Sequence, residues 1–131
     1  MRYLLDANAV IGLLNDRASK LARRARRERP SDIGISAIVL HELYYGAFKS
    51  RRATQNVALI DTLQFAVVEF DSEDARRAGA VRAFLASKGT PIGPFDALIA
   101  GQAVARDLVL VTHNTDEFGH LPELRIVDWQ G

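Results

Sequence analysis

Short apolar segments that alternate with helical patterns constrain the fold of this 131-residue chain more than any other feature. Five segments are too short for helices and have the near-continuous apolar character of strands that are buried on both faces. They are Tyr3–Leu5, Ile33–Ser36, Phe65–Phe70, Leu108–Val111 and Arg125–Asp128. Because strand–helix–strand units join parallel strands through right-handed crossovers, we expect an α/β fold. The specific prediction is a three-layer α/β/α sandwich around a mainly parallel five-stranded sheet.

Seven helices are predicted between these strands, and several begin at recognisable residues. Asp6 or Asn8 can cap the first helix, and Asp71 can cap the helix that runs to residue 88. Pro94 suits the first position of a helix that runs to residue 106. The other helices are expected over residues 18–29, 37–49, 52–63 and 116–119. Since no linker or repeat interrupts the pattern, a single domain over residues 1–131 is predicted.

The composition excludes several classes of protein. Hydrophobic residues make up 48% and charged residues 25% of the chain, as is typical of a globular domain. The sequence has no cysteine, which excludes disulfide frameworks, thiolate zinc sites and cysteine nucleophiles, and we expect a cytoplasmic protein. No apolar run reaches the ~18 residues of a membrane helix, and the N-terminus lacks the pattern of a signal peptide. No membrane contact is therefore expected.

Acidic residues follow the predicted strands. Asp6 comes directly after the first strand, Glu42 lies in the helix after the second, and Asp96 lies in the first turn of the helix opened by Pro94. Asp116 and Glu117 follow the fourth strand. Each acid alone has a structural explanation, as a helix cap or a charge favoured by a helix dipole. Together, however, four segments deliver acids to the carboxyl edge of a parallel sheet, where the sites of such folds lie.

Glu42 has the least satisfactory structural explanation. Its helix, residues 37–48, is apolar on nearly every face and is predicted to be largely buried. A buried carboxylate costs several kcal/mol unless it is paired or binds a metal. Gly46, one turn later, removes side-chain bulk from the same face. We therefore expect a cleft at Glu42 that is open to a ligand.

Clustered carboxylates imply a cation. Their mutual repulsion must be relieved by protonation or by a metal, and ligands made only of oxygen select Mg²⁺ or Mn²⁺. Such a site suits the hydrolysis of phosphodiesters, with no side-chain nucleophile. Polar residues near the acids can orient them, or the attacking water, by hydrogen bonds. The candidates for this role are Asn8, Ser36, Thr112 and Asn114.

Four motifs resemble those of PIN-domain ribonucleases, and more narrowly the VapC toxins of type II toxin–antitoxin modules. These motifs are Leu-Leu-Asp-Ala-Asn at 4–8, the helix that carries Glu42, Gly-Pro-Phe-Asp-Ala-Leu-Ile-Ala at 93–100, and Thr-His-Asn-Thr-Asp-Glu-Phe at 112–118. They occur in the family's order and cover essentially the whole chain. The resemblance implies an Mg²⁺- or Mn²⁺-dependent endoribonuclease that cuts single-stranded or looped RNA. It also implies a small antitoxin that blocks the site, and a fold that commonly forms a homodimer.

The resemblance also assigns roles to the acids. Asp6 and Asp96 would be the principal metal ligands and Glu42 the third acid. The fourth acid is Asp116 or Glu117, and Asp116 is preferred for its shorter carboxylate. The chain departs from the family at Ala7, where Ser or Thr is usual, so one hydroxyl is missing beside the first aspartate.

Basic residues are concentrated between Arg17 and Arg29, where seven basic residues accompany one acid, although the formal net charge of the chain is only +1. This stretch is either a solvated helix face or a contact for RNA phosphates or an acidic segment of an antitoxin. The candidate contacts are Arg23, Arg24, Arg26 and Arg27.

Three other groups of residues have simpler interpretations. The histidines have no zinc-binding spacing, and we assign a catalytic role to none of them; they are His41, His113 and His120. Aromatic residues in the Glu42 helix are expected to form core or dimer contacts, with stacking on RNA bases as the alternative; they are Tyr44, Tyr45 and Phe48. Trp129 is expected to be a packing residue.

Two competing functions can be weighed against a nuclease. An aspartate-based phosphotransferase needs a second aspartate at position 8, where this chain has Asn, and a receiver domain needs a lysine after a late strand, which is absent after residues 109–114. A non-catalytic RNA- or protein-binding module on the same fold remains the alternative. A pure binder, however, gains nothing from carboxylates that repel one another.

Overall fold

The computed structural model of the chain describes residues 1–130, and its centre is a five-stranded sheet in the order β3-β2-β1-β4-β5. All four strand pairings are parallel, so the predicted α/β architecture is confirmed. The strands are β1 (Tyr3–Leu5), β2 (Ile33–Ser36), β3 (Ala66–Val68), β4 (Val109–Val111) and β5 (Ile126–Val127). The outer strands β3 and β5 are shorter than predicted, because β3 pairs only with residues 34–36 of β2 and β5 only with residues 110–111 of β4.

Seven α-helices flank the sheet, within residues 1–130. They are α1 (Ala7–Asn15), α2 (Lys20–Ala25), α3 (Ala37–Phe48), α4 (Ala53–Asp61), α5 (Ser72–Ser87), α6 (Pro94–Ala105) and α7 (Thr115–Phe118). Helix α2 is half as long as predicted. After Ala25 the backbone N–H groups of Arg27 and Glu28 bond three residues back, a tighter turn, and a 3₁₀ turn over Pro30–Asp32 leads into β2.

Side-chain caps fix where four helices begin. The hydroxyl of Ser19 caps α2 by accepting from the N–H of Ala22. Asp6, rather than Asn8, caps α1, since its carboxylate accepts a hydrogen bond from the backbone N–H of Ala9. Ser36 caps α3 through the N–H of Ile38. Asp71 caps α5 in a reciprocal capping box, as predicted. Two of these caps follow directly from strands, so the same residues end a strand, begin a helix and lie at the carboxyl edge of the sheet.

The core surrounds the central strands β1, β2 and β4, whose side chains are almost completely buried; Leu4, Leu5, Ile33 and Leu110 have no exposed surface. Trp129 packs edge-on against the ring of Tyr3, with the ring centroids 5.0 Å apart. The guanidinium of Arg24 also contacts Trp129, with its carbon 5.0 Å from the centroid of the ring. Trp129 is therefore a packing residue, as predicted.

Helices α5 and α6 pack closely against each other. A Cβ at Gly101 of α6 would overlap the backbone of Ala78 in α5, so only glycine permits this approach. The contact also contains a buried carboxylate, Asp74, which accepts hydrogen bonds from Gln102 (3.0 Å) and from the guanidinium of Arg106 (3.0 Å). Because Asp96 belongs to α6, this packing sets the position of that acid.

Helix α3 is less buried than its sequence predicts. Only one stripe of the helix (Val39, Leu43 and Ala47) is buried, while Tyr45 is 62% and Phe48 67% exposed. The prediction of a largely buried helix was wrong, because apolar composition does not show whether a second surface covers the outer face. Tyr45 and Phe48 are consequently not core residues of the single chain. Across residues 1–130 no helix has the length and apolar character that a bilayer span requires.

Candidate metal-dependent active site

The carboxyl ends of β1 and β4 form the centre of the site. Strand β1 pairs with both β2 and β4, so the chain order reverses direction at β1 and leaves a crevice at its carboxyl end. Asp6 follows β1 immediately, and its backbone N–H bonds to the carbonyl of Val111, the last residue of β4. The sheet topology thus places Asp6 beside Thr112, as the sequence analysis expected for residues that follow neighbouring parallel strands.

Asp6 is a buried carboxylate with fixed orientation. It is 6% exposed, and its Oδ1 accepts a 2.8 Å hydrogen bond from the N–H of Ala9. Burial raises the pKa of Asp6, although the hydrogen bonds from the Thr112 side chain and from Ala9 act in the opposite direction. The group is therefore held in place by donors that favour its charged form.

Glu42 and Asp96 lie in the electrostatic field of Asp6. Burial raises the pKa of Glu42, and the negative charges of Asp96 and Asp6 raise it further. The pKa of Asp96 is raised by burial first, then by the charges of Glu117 and Asp6. Among residues 1–130, none of the carboxylates of Asp6, Glu42 and Asp96 forms an ion pair with an arginine. The structure thus gathers these acids without neutralising them.

The carboxylates fit a divalent cation, although they do not form a closed ligand set. Glu42 Oε1 is buried and has no hydrogen-bond partner in the described part of the chain, which is costly for a charged oxygen. No three acidic or histidine side chains of residues 1–130 are close enough to hold an ion as they stand. Like charges repel, and a hard cation would draw such oxygens together. The donor set therefore has the chemistry of a magnesium or manganese site.

The geometry favours Glu117 over Asp116 as the fourth acid. The charge of Glu117, and not that of Asp116, raises the pKa of Asp96. Asn114 Nδ2 also donates a 2.8 Å hydrogen bond to Glu117 Oε2, which orients the carboxylate. Adjacent residues of a helix point about 100° apart, so Asp116 and Glu117 have different neighbours. The identity of the fourth acid stays a prediction, and these contacts favour Glu117 over the Asp116 preferred from sequence.

The predicted orienting residues have different positions. Thr112 bonds to Asp6, and its hydroxyl also accepts from the N–H of Asn114 at 2.9 Å. Asn114 in turn holds Glu117. Ser36 is buried and caps α3, so it positions the helix that carries Glu42 rather than the carboxylate itself. Asn8 is exposed and lines a cleft next to Glu42.

The sequence analysis did not name one residue at this edge, Asp128, and it assigned no role to another, His113. Asp128 follows β5, the strand beside β4, and its Oδ2 lies 2.9 Å from Nδ1 of His113. The charge of Asp128 raises the pKa of Asp6, and His113 lowers it. The predicted fifth strand ran through Asp128, whereas the observed β5 ends at Val127, so the sequence analysis did not recognise Asp128 as an acid that follows a strand. His113, which was assigned no catalytic role, lies at the rim of the site and is largely exposed.

Comparison with known proteins identifies the family. The PIN domain model matches residues 3–124 of the chain.

The chain belongs to the PIN-domain family.

The similarity to VapC proteins within this family extends over nearly the full length. The chain is 39% identical over 131 residues to the tRNA(fMet)-specific endonuclease VapC of Salmonella typhimurium, with 98% of each chain covered. It is 33% identical over 132 residues to ribonuclease VapC2 of Rickettsia felis, again with 98% of each covered. The resemblance inferred from the four motifs is thus confirmed.

Solved structures of the same family share the fold. A chain of the DNA-bound VapBC complex from Salmonella typhimurium superimposes with a TM-score of 0.93 and 39% identity over 98% of each chain. A chain of VapBC-1 from nontypeable Haemophilus influenzae gives a TM-score of 0.89 at 32% identity over 100% of each chain. The fold of this PIN domain is therefore that of VapC proteins in complexes with VapB.

The basic segment of this PIN domain divides into structural and exposed residues. Arg24 stacks on Trp129 and forms a 2.7 Å ion pair with Glu28, so it stabilises the fold and is not a free contact. The guanidinium of Arg26 donates to the carbonyl of Arg17. Arg23 and Arg27 are exposed. Of the four arginines predicted to contact RNA or an antitoxin, Arg24 is thus bound to other residues of the same chain.

Two concave surfaces border α1 of the PIN domain. The larger has a volume of about 710 Å³ and lies among α1, α2, α4 and the start of β3. Its wall combines apolar and basic side chains, including Leu13, Leu14, Leu63, Phe65, Arg17 and Arg26. The smaller, of about 390 Å³, lies among α1, α3 and α4 and is lined by Glu42 and Gly46, as the sequence predicted.

Proposed function

We propose that this VapC protein is an endoribonuclease whose acids at the carboxyl edge of the sheet hold Mg²⁺ or Mn²⁺, and that it is the toxin of a toxin–antitoxin pair. Family membership supports the ribonuclease activity and the toxin role. The metal dependence rests on one observation: the buried, unpartnered oxygen of Glu42 lies in the field of Asp6 and Asp96. A cation would supply the missing partner.

Each acid has a role that follows from its surroundings. Asp6, held by Ala9 and Thr112, is a fixed ligand, while Asp96 and Glu42 approach from helices α6 and α3. A divalent cation bound there would act as a Lewis acid towards the phosphoryl group. Glu117, held by Asn114, completes the acidic ring and can orient a water molecule by accepting its hydrogen bond.

The antitoxin site follows from the larger groove. The related solved complexes contain VapB with VapC, and the groove among α1, α2 and α4 is lined by apolar side chains, by Arg17 and Arg26, and by one acid, Glu28. Such a surface fits an amphipathic helix with acidic residues along its edges. An antitoxin segment bound there would also lie next to α1, the helix capped by Asp6.

The substrate class and assembly are assigned by similarity and by exposed surface. The Salmonella relative is named a tRNA(fMet)-specific endonuclease, so we take a structured RNA with an accessible loop, such as a tRNA, as the first candidate substrate. The exposed outer face of α3, with Tyr45 and Phe48, supports a homodimer. A cytoplasmic location follows from these RNA and antitoxin partners.

Cleavage of purified tRNA and of total cellular RNA tests the proposal. Wild-type protein should cut in Mn²⁺ or Mg²⁺ and not in EDTA, and Asp96→Asn should abolish cutting because it removes charge at nearly constant shape. Asp16→Asn is the matched control, since Asp16 is exposed and its bond to Ala18 survives as an amide. Cutting that persists in Asp96→Asn overturns the site assignment. RNA binding without cutting under any metal would instead favour a binding module.

A further inference from the structure

The α1/α3/α4 cleft opens directly beside the acids. Glu42 lines the cleft, and Ala7 and Asn8, the two residues after Asp6, form another part of its wall. Its volume of about 390 Å³ is at the small end of the range for ligand pockets. A group bound in this cleft would therefore be a close neighbour of any phosphodiester held at the acidic site.

The chemistry of the wall suits a flat, neutral, hydrogen-bonding group. Aliphatic side chains provide apolar surface on which a ring can lie; they are Ile11, Leu14, Leu43, Leu59 and Ile60. Three asparagines line the same cleft: Asn8, Asn15 and Asn56. An amide presents a donor and an acceptor side by side, which matches the edge of a nucleobase. Asn56 is fixed in place by a 2.9 Å bond to Ser50.

The charge of the wall argues against other occupants. Glu42 is its one charged residue among those the structure describes, and no lysine or arginine lines it. A phosphate or an acidic peptide would be repelled by Glu42 and would find no counter-charge. A nucleobase is neutral and carries amino groups that can donate to carboxylate or amide oxygens.

We propose that the α1/α3/α4 cleft binds one unpaired nucleobase of the RNA next to the bond that is cut. This inference rests on the proposed ribonuclease activity, and it adds a determinant of sequence preference that lies outside the acidic site. Enzymes that act on nucleic acid bases commonly clamp an unstacked base between apolar side chains and read its edge with hydrogen bonds. The amides of Asn8 and Asn15 are the groups that would read it.

Gly46 provides a substitution that fills the cleft without disturbing the fold. A Cβ at this position meets no atom within 4 Å, and Gly46 lies in the last turn of α3 on the cleft wall. Gly46→Leu therefore places a side chain in the volume assigned to the base. Gly79→Leu is the matched control, because Gly79 also lies within a helix, α5, and also has open space around its Cβ position.

The experiment combines these variants with a modified RNA. Once the wild-type cutting site in a short RNA is mapped, the nucleotides on either side are replaced in turn by abasic residues. In wild type, one abasic position should lower kcat/KM about 10-fold or more, since a stacked base contributes roughly a 5- to 150-fold effect. Gly46→Leu should lower kcat/KM on intact RNA by a similar factor. On the abasic RNA, kcat/KM of Gly46→Leu should be close to that of wild type. Gly79→Leu should behave as wild type.

Several results would overturn the inference. Equal cleavage of intact RNA by Gly46→Leu and wild type would do so. The inference also fails if the fold-loss in kcat/KM of Gly46→Leu on the abasic RNA equals the product of the two single losses, because the two changes would then act independently. Loss of antitoxin binding by Gly46→Leu with unchanged cleavage would assign the cleft to the antitoxin. If wild type cuts no RNA, the proposed function fails. In that case fluorescence anisotropy with intact and abasic RNA still tests the cleft: equal affinities in wild type and Gly46→Leu would exclude it as a base site.

Discussion

The backbone N–H of Ala9 donates a 2.8 Å hydrogen bond to Oδ1 of Asp6. One carboxylate therefore caps the first helix and belongs to the acidic site. The two roles need different properties of the side chain, because capping needs only an acceptor oxygen, whereas cation binding needs the negative charge. Substitutions at position 6 can separate them.

Asp6→Asn should abolish cleavage without loss of stability. Asparagine caps helices as well as aspartate does, and removing one of several repelling charges does not destabilise the fold. Asp6→Ala should also abolish cleavage but should lower the free energy of unfolding by about 1 kcal/mol, through loss of the cap. Urea unfolding of the two variants, together with RNA cleavage, measures both effects. Equal destabilisation by Asn and Ala would contradict the separation of roles.

Divalent cations should stabilise the protein near neutral pH. The pKa values of Asp6, Glu42 and Asp96 are raised, chiefly by burial. Their contribution to stability is present below the ordinary carboxyl pKa values of 3.8 and 4.5 and is lost as the pH rises through the folded-state pKa values. A cation bound to the ionised acids reverses that loss. Mn²⁺ at pH 7 should therefore raise the Tm of wild type.

The pH and variant dependence of this Tm shift provide its controls. The shift should diminish as the pH falls towards 4, because protons compete with the cation for the carboxylates. It should be much smaller in Asp96→Asn at pH 7. An equal shift in wild type and Asp96→Asn would indicate that Mn²⁺ binds somewhere else.

Glu117→Gln should reduce cleavage more than Asp116→Asn. Glu117 acts on Asp96 and is oriented by Asn114, so loss of its charge should lower kcat/KM about 10- to 100-fold, the range typical of groups that support metal ligands. Asp116→Asn should stay within about threefold of wild type. Single-turnover cleavage of the same RNA compares the variants, and the reverse order would restore Asp116 as the fourth acid.

Arg106→Gln should destabilise the contact between α5 and α6 at neutral pH. Burial alone would raise the pKa of Asp74, but hydrogen bonds from Arg106, Asp71 and Gln102 lower it below its ordinary value of 3.8. The ionised group therefore stabilises the fold above pH 3.8 and loses this effect as the pH falls through its folded-state pKa. The variant should lose about 2 kcal/mol at pH 7, the scale of hydrogen bonds to a charged group, and the difference should shrink below pH 4. Thermal unfolding across this pH range measures it.

Phe48→Asp should dissociate the homodimer. Phe48 and Tyr45 are exposed on one helix face, and a charge placed there would be buried without a partner in a dimer. Light scattering coupled to size exclusion should show wild type at twice the 14.5 kDa mass of the chain and the variant at that mass. A monomeric wild type would refute the homodimer and leave this face for another partner.

The position of Asp6 could be predicted from sequence because it depends on local rules. A short apolar run followed by an acid indicates the end of a buried strand, and parallel strands bring their ends together. The same rule places Thr112 beside it, but it did not find Asp128, because the predicted fifth strand extended one residue past the observed end of β5. The fold class was predicted correctly for this reason, since each element carried its own periodic signal.

Other features depend on contacts between distant segments and could not be predicted. The choice between Asp116 and Glu117 depends on how α7 is rotated against α6, which no local pattern encodes. The exposure of α3 depends on whether another part of the molecule covers Phe48, and the composition of the helix does not show this. Arg24 is read from sequence as one of several exposed arginines, yet Trp129, more than a hundred residues later, holds it in place.

The close approach of Gly101 to Ala78 has a consequence for how this protein loses activity. Any side chain larger than hydrogen at position 101 must push α6 away from α5, and α6 carries Asp96 at its other end. The spacing between α5 and α6 therefore sets the position of Asp96, more than one helical turn from Gly101. Bacteria selected to survive a toxin of this kind would accumulate substitutions at Gly101 and Ala78, which are both buried between α5 and α6. Inactivating substitutions would then be found at the contact between α5 and α6 as well as at the acidic residues of the site.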